Sequence, residues 1–296
     1  MNVAVRKRTS FFKTDGWKRF RKNKLALVGT AIILIMIAAA ILAPLITQHD
    51  PYVSLKNEKG AIFKNASPRD SGTILGTDSV GRDEFSRLVY AARVSLSVGL
   101  VSVGISTLVG VLLGAIAGYF RGAADTILMR TVDVVNCFPV MFLIIIIATI
   151  LKPSIYNIMI IMGLCNWTAT ARLVRGEILR VREMEFVQAA VSLGASSARI
   201  IFSHVLPNII APIIVEATLQ MAHAILTEAS LSYLGVGVQL PTASWGNMLM
   251  NANNLATLTT RPWQWIPAGM CILLAVLSIN FIGDGLRDAF DVKQKR

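Results

Sequence analysis

The sequence predicts an all-α integral membrane protein with six transmembrane helices, and three observations carry that expectation. Only 16% of the 296 residues are charged while 54% are hydrophobic, where a soluble domain carries about 25% charged residues. The apolar residues come in long uncharged blocks, most of them near or above the roughly 18 to 20 residues that cross about 30 Å of hydrocarbon at about 1.5 Å per residue. The 29 Lys and Arg residues are, in addition, shared unevenly between alternate connecting segments.

The first block, Leu25 to Gln48, has no charged side chain. Residues 1–24 before it hold nine Lys and Arg with Phe11, Phe12, Trp17 and Phe20 between them, and read as a cytoplasmic basic amphipathic segment lying on anionic headgroups. The block is longer than the roughly 7 to 15 apolar residues of a signal peptide and ends in no A-x-A-like cleavage signal, so it reads as a retained span. Residues 25–93 thus form the first transmembrane helix and an extracytoplasmic loop. Asp50-Pro51 and Ser67-Pro68 give that loop turn chemistry suited to a small flap. Its last part, Asp83 to Arg93, spaces Phe85, Leu88, Val89 and Tyr90 as an interfacial helix would.

The core, 94–288, starts with the second block, Val94 to Phe120. Its Gly110, Gly114 and Gly118 repeat every four residues, a small-residue stripe that lets another helix approach closely. The third block, Val134 to Leu151, has Asp133 and Pro139 at its first turns, and the fourth runs from Pro153 to Ala171. The segment 172–204 is too charged to enter lipid. Its Val181, Met184, Phe186, Val187, Ala190 and Leu193 suggest amphipathic helices that meet another protein. A fifth block, Val205 to about Leu234, contains Glu216, His223 and Glu228; a sixth covers Pro262 to Gly283, and 289–296 is a cytoplasmic tail.

With the amino terminus inside, the inner segments hold 20 Lys and Arg and the outer segments nine, an asymmetry that places both termini in the cytoplasm. The net charge of +12 is therefore a topology signal and argues against a nucleic-acid surface. Cys137, Cys165 and Cys271 all sit in apolar blocks without CxxC spacing, which supports neither a metal site nor a disulfide.

Asp133, Glu216, His223, Glu228 and Asp284 fall at or within the blocks, where insertion scales charge roughly 2.5 to 3.5 kcal/mol for a central Asp or basic residue. Such groups belong against the bundle or a water-filled path. Glu216 and His223, seven residues apart, share a helix face, and with Glu228 they are the candidates for a translocation path. Asp284, one turn before Arg287, reads as a cap or interface pair. No G-x-x-x-x-G-K-[ST] pattern cradles phosphate, and no nucleophile, base and orienting group can be assembled. No catalytic residue is assigned, and the chain reads as no enzyme.

Four motifs occur in order: Leu75-Gly76-Thr77-Asp78 with Gly81-Arg82-Asp83 and Ser86-Arg87; Gln188-Ala189-Ala190 with Gly194 and then Leu206-Pro207-Asn208; Leu231 to Gly237 with Trp245-Gly246; and Gly283-Asp284-Gly285-Leu286-Arg287-Asp288. Together they resemble the C-type permease subunits of the oligopeptide, dipeptide and nickel group of ABC importers, across about residues 16 to 292. The resemblance implies the type I ABC importer permease fold and half of a pore for di- or oligopeptides, or else for a nickel complex or a glutathione-like solute. It implies that 172–204 is a coupling loop seated on an ATPase, with Phe186 and Val187 as apolar anchors, Gln188, Ala189 and Ala190 at the contact, Gly194 as the turn, and Leu206-Pro207 closing the motif. Gln188 stands where the family signature has Glu, and His204 where it has Ile.

Gly76, Thr77, Asp78, Gly81, Arg82 and Asp83 would then form an ordered extracytoplasmic motif near the face that receives a solute-binding protein. The implied partners are a homologous B-type permease, two ABC ATPase subunits that bind the ATP and Mg, the binding protein, and membrane lipid. No cofactor, metal or nucleic acid is expected on this chain, and a bacterial or archaeal cytoplasmic (inner) membrane is its expected location. The rival of another class is a proton-coupled secondary transporter with Glu216, His223 and Glu228 as relay, although no inverted repeat is evident in the sequence.

Overall fold

The computed structural model describes residues 15–151 and 154–290. Phe11, Phe12, Lys152, Pro153 and the tail from 291 on lie outside them. The described residues form short α1 (Asp15–Phe20), α2 (Lys24–Ile41) and α3 (Ala43–Ile46), a loop containing α4 (Pro68–Ser71), and the long α5 (Glu84–Phe120). After these come α6 (Gly122–Asn136), α7 (Val140–Ile150), α8 (Ile155–Cys165), α9 (Trp167–Val181), α10 (Glu185–Ser192) and α11 (Ser197–Arg199). A π-helical turn over Ile200–Val205 leads into α12 (Leu206–Tyr233), followed by α13 (Trp245–Leu249), α14 (Leu255–Thr260) and α15 (Ile266–Phe290).

Four helical stretches are singly long and apolar enough to cross a membrane: Lys24–Ile41, Glu84–Phe120, Ser197–Tyr233 and Ile266–Phe290. The pair α6 and α7 makes a fifth if counted as one span, bent by 81°. The bend falls at Cys137-Phe138-Pro139, where Pro139 is extended (φ −61°, ψ 115°). Its ring has no N–H to give and disfavours helix at Phe138. The fourth apolar block is divided rather than continuous. Asn166 leaves helical geometry (φ −106°, ψ 9°), and its side-chain amide donates to the Met162 carbonyl at 2.7 Å, the local competition that short polar side chains offer a helix. The 11 residues of α8 reach only about 16 Å, so the expected six continuous spans reduce to four plus the bent pair among the described residues.

The centre of the bundle is α5, which packs against α2, α8, α9 and α12, while α15 packs against α2 and α12. The glycine stripe is where α9 lies. A Cβ on Gly114 would stand 2.5 Å from the Ala171 carbonyl oxygen, one on Gly110 2.6 Å from Thr170 Cβ, and one on Gly118 3.0 Å from the Arg175 carbonyl oxygen. The described part of the amino-terminal segment packs on the protein. Phe20 is buried and packs with Ala26, Leu286 and Ala289, with Trp17 stacked on it at 5.9 Å, so these two aromatics dock α1 on the last turns of α15.

Both ends of α5 are fastened. Asp83 caps its start, accepting from the Ser86 N–H at 2.9 Å. At its far end Arg182 donates to the Tyr119 carbonyl at 2.6 Å and stacks over the Tyr119 ring at 5.8 Å, while Arg121 pairs with Glu183.

Candidate functional site

Residues 216, 220, 223 and 227 of α12 follow the i, i+4, i+7, i+11 pattern of one helix face. Glu216, Gln220, His223 and Thr227 accordingly line one cavity of about 320 Å³ between α5, α7, α8, α9 and α12. Ser102 and Ser106 of α5, Val140 of α7 and Asn166 supply other walls. Gln220 fixes the polar floor: its Nε2 donates to Thr170 Oγ1 at 2.9 Å and to Glu216 Oε1 at 3.0 Å, and its Oε1 accepts from Ser106 Oγ at 3.1 Å. The carboxylate acceptor settles which way this amide points. Glu216 has no ion-pair partner among the described residues, and His223 is exposed, so the lining offers hydrogen bonds and one uncompensated carboxylate. No group of three His, Cys, Asp or Glu among the described residues is placed to hold a metal. The arrangement suits a polar solute in contact or in passage.

Glu228 lies apart from this cavity. It is fully buried, with Ser95 Oγ donating to Oε2 at 3.0 Å and Ser232 Oγ to Oε1 at 2.7 Å. Those hydroxyls accept in turn from the Trp245 N–H at 3.1 Å and the Val238 N–H at 2.9 Å. The carboxylate thereby ties α5, α12 and the 238–245 segment into one knot. Of the three path candidates, the structure brings Glu216 and His223 to the cavity and leaves Glu228 in the packing.

The segment expected to couple to an ATPase forms α9, α10, α11 and the entry to α12. Helical periodicity divides α10 into two faces. Val187 and Ala190 are buried against Ile178, Val181, Ile200, Val205 and Ile209, while Phe186, Ala189 and Leu193 are exposed, Leu193 at 87%. Val187, expected as an outward anchor, therefore holds α10 to its own subunit, and the outward apolar side chains are Met184, Phe186, Val191 and Leu193.

Gly194 has φ +75° and closes α10 with two bonds, its own N–H to the Val191 carbonyl at 2.9 Å and the Ala195 N–H to the Ala190 carbonyl at 3.1 Å, the pairing of a Schellman stop. Gln188 is turned back on the chain, its Nε2 donating to the Arg182 carbonyl at 2.9 Å. Leu206 packs beside the buried cluster and Pro207 is exposed in the first turn of α12. The π turn just before it, with the Leu206 N–H reaching the Ile201 carbonyl, absorbs the register change around a residue that has no N–H. His204 is half-buried, and its carbonyl accepts from Asn208 Nδ2 at 2.6 Å.

At the other end of the molecule, Thr77, Asp78, Arg82, Asp83, Glu84 and Arg87 are all buried. Asp78 accepts from Arg82 Nε at 2.7 Å and from the Arg82 and Val80 N–H groups at 2.8 and 2.9 Å; Arg87 Nε stands 3.7 Å away. Arg87 also donates to the carbonyls of Pro51 at 3.2 Å and Pro241 at 3.4 Å. Gln264 donates to the Thr77 carbonyl at 2.8 Å and to Asn65 Oδ1 at 3.0 Å, so the motif joins the loop after α3 and the segment between α12 and α15 to the start of α5. Gly76 (φ +76°) and Gly81 (φ +91°) hold left-handed turns, and a Cβ on Gly76 would meet the Ala66 carbonyl oxygen at 2.6 Å. The motif side chains are interior struts, and a docking surface would have to be made by what they support. Sequence reasoning missed Glu84, because an acid following the Asp83 cap looks like ordinary first-turn chemistry; only the tertiary structure buries it.

Over residues 110–296 the chain matches the family described as binding-protein-dependent transport system inner membrane component. Residues 10–68 match the N-terminal transmembrane domain of oligopeptide transport permease C. It is 42% identical over 285 residues to a dipeptide transport system permease protein of Alkalihalophilus pseudofirmus, covering 95% of this chain and 90% of that protein. An oligopeptide transport system permease protein of Bacillus subtilis is 39% identical over 283 residues, covering 95% and 90%. A di/tripeptide transport system permease protein of Pseudomonas aeruginosa is 39% identical over 284 residues, covering 94% and 91%.

Proposed function

The chain belongs to the binding-protein-dependent transport system inner membrane components, the membrane permease subunits of ABC importers, and from that premise we propose that it forms half of a translocation path for di- or oligopeptides. The observation that carries this reading is the face of α12 bearing Glu216, Gln220 and His223. An uncompensated carboxylate and an exposed imidazole at membrane depth are costly against lipid. A second, homologous B-type permease closing over this face, with water and substrate between the two, removes that cost.

Two ATPase subunits bind the ATP and Mg, one of them seating on the exposed Phe186, Ala189 and Leu193 face of α10. Small and apolar side chains there suit a helix lying in a groove. A solute-binding protein delivers substrate from outside, both termini lie in the cytoplasm, and the membrane is the inner membrane of a bacterium or archaeon. Peptides are favoured as substrate because the relatives named above carry peptides in their names; a nickel complex or glutathione-like solute would use the same machinery. A proton relay through Glu216, His223 and Glu228 is the weaker reading, since Glu228 stands outside the cavity that holds the other two.

The test is ATP hydrolysis by the complex reconstituted with its partner permease and ATPases, with and without binding protein and a peptide library. Peptide-stimulated hydrolysis that Gly194→Asp uncouples is the expected result. A chain that purifies alone and moves solute down a proton gradient without hydrolysis would overturn the proposal.

A further inference from the structure

Helices α6 and α9 face each other through three polar links. Thr168 Oγ1 donates to Asn136 Oδ1 at 3.0 Å, Arg172 Nη2 to Asp133 Oδ1 at 2.8 Å, and Arg175 grips Asp125 with two bonds of 2.5 and 2.6 Å. On α9 these positions are i, i+4 and i+7; on α6 they descend as 136, 133 and 125, so each set occupies one face and the helices run antiparallel like the rails of a ladder. Beside the rungs lies a small apolar patch, with Val132 of α6 against Trp167 and Ala171 of α9. Val132 is the one fully buried residue of α6; Met129 and Val135 pack half-buried beside it with Val109 and Leu113 of α5, so apolar packing seats α6 on α5 while the polar rungs tie it to α9.

The two rails end in different places. α9 runs into the Arg182–Met184 turn and α10; α6 runs through the 81° bend into α7, whose first residue, Val140, is a wall of the cavity. Partly exposed ion pairs contribute little to stability, but a bidentate Arg–carboxylate pair sets direction and distance closely. The rungs therefore matter more for where α6 points than for whether the protein folds.

We propose that Asp125, Asp133, Arg172 and Arg175 are positioning residues that make α6 and α9 move as one body, so that displacement of α10 is delivered to the α7 wall of the cavity. This rests on the permease reading above.

The test uses the complete complex in liposomes, with its ATPases, its binding protein and trialanine as the probe, and reads uptake per ATP hydrolysed. Arg172→Ala/Arg175→Ala should assemble, hydrolyse ATP within twofold of wild type, and lose at least fivefold in uptake per ATP. The charge exchange Asp125→Arg/Arg175→Asp should recover at least half of what Arg175→Asp alone loses. Unchanged uptake per ATP in the alanine pair, or no recovery on exchange in an assembled complex, overturns the proposal. A second measurement stands if the alanine pair fails to assemble. In a Cys137→Ser background, Asp133→Cys/Arg172→Cys bridged by a bifunctional methanethiosulfonate should keep its uptake. Uptake lost on bridging and regained on reduction means that the helices must slide past each other, which also overturns the idea. A wild-type complex with no ATP-driven uptake would defeat the permease reading itself, and is recognised by the absence of any coupling to restore.

Discussion

Gln188 Nε2 lies 2.9 Å from the carbonyl oxygen of Arg182, a bond that joins α10 to the end of α9 and that only a donor can make. A carboxylate at 188 would instead face the negative end of α9. Gln188→Glu should therefore cost the isolated chain about 0.5 to 1.5 kcal/mol. Thermal unfolding of the detergent-solubilised protein measures this, and a midpoint at or above wild type would show the bond to be incidental.

Two glycines of α5 should respond oppositely to the same change. A methyl on Gly114 meets a backbone oxygen at 2.5 Å and Val174 Cβ at 2.9 Å, and backbone cannot rotate aside, so Gly114→Ala should destabilise by about 1 to 3 kcal/mol. Nothing lies within 4 Å of a Cβ on Gly104. Gly104→Ala should be neutral or gain up to about 1 kcal/mol of helix stability. Equal effects in a denaturation series would break the assignment of the glycine stripe to α9.

Glu228 is held by two serine hydroxyls, an environment that an amide can satisfy because hydroxyls both donate and accept. Uptake by Glu228→Gln should stay within about twofold of wild type. Glu228→Ala, which strips both hydroxyls of their acceptor in a dry site, should lose about 1 to 3 kcal/mol for each group left unpaired, seen as reduced folded yield. Loss of uptake in a well-folded Gln variant would return Glu228 to the transport path.

Arg87 supports the loop between α3 and α5 through Pro51, Pro241 and Asp78. Its removal leaves Asp78 its closer cation, Arg82, but strips the Pro51 and Pro241 carbonyls of their donor, a loss of about 1 to 3 kcal/mol for each group left unpaired. Arg87→Ala should make residues 42–83 sensitive to protease added from outside. A normal cleavage pattern combined with weakened binding-protein affinity would instead mark Arg87 as a docking residue.

The apolar blocks, the small-residue face of α5 and the amphipathic character of 172–204 were all legible in sequence, because each rests on periodicity or on uninterrupted apolar length. What escaped depends on partners that periodicity does not name. The pattern around Phe186 and Val187 shows two faces but not which of them belongs to the subunit's own core; the hydrophobic neighbours of Val187 arrive from Ile200 to Ile209. Pro139 could be seen as an interruption, but not the 81° turn it permits. Asn166 gave no warning at all, since Asn within an apolar run reads as tolerable until its amide is found bonded to the Met162 carbonyl. Asp78, Arg82 and Asp83 could be read as part of an ordered loop motif, but only their burial and the distances to Asp78 reveal an interior cluster.

The 37 residues of α5 have a length of about 55 Å, well beyond the roughly 30 Å of a hydrocarbon layer. One end is clamped by the Asp83 cap and the charges around Asp78, the other by Arg182 and Glu183 at the turn between α9 and α10. Both faces of the membrane thus hang on a single unjointed girder. A tilt imposed at the α9–α10 end would appear at the loop before α5 as a lever's far end does, with no break in the helix along the way to dissipate it.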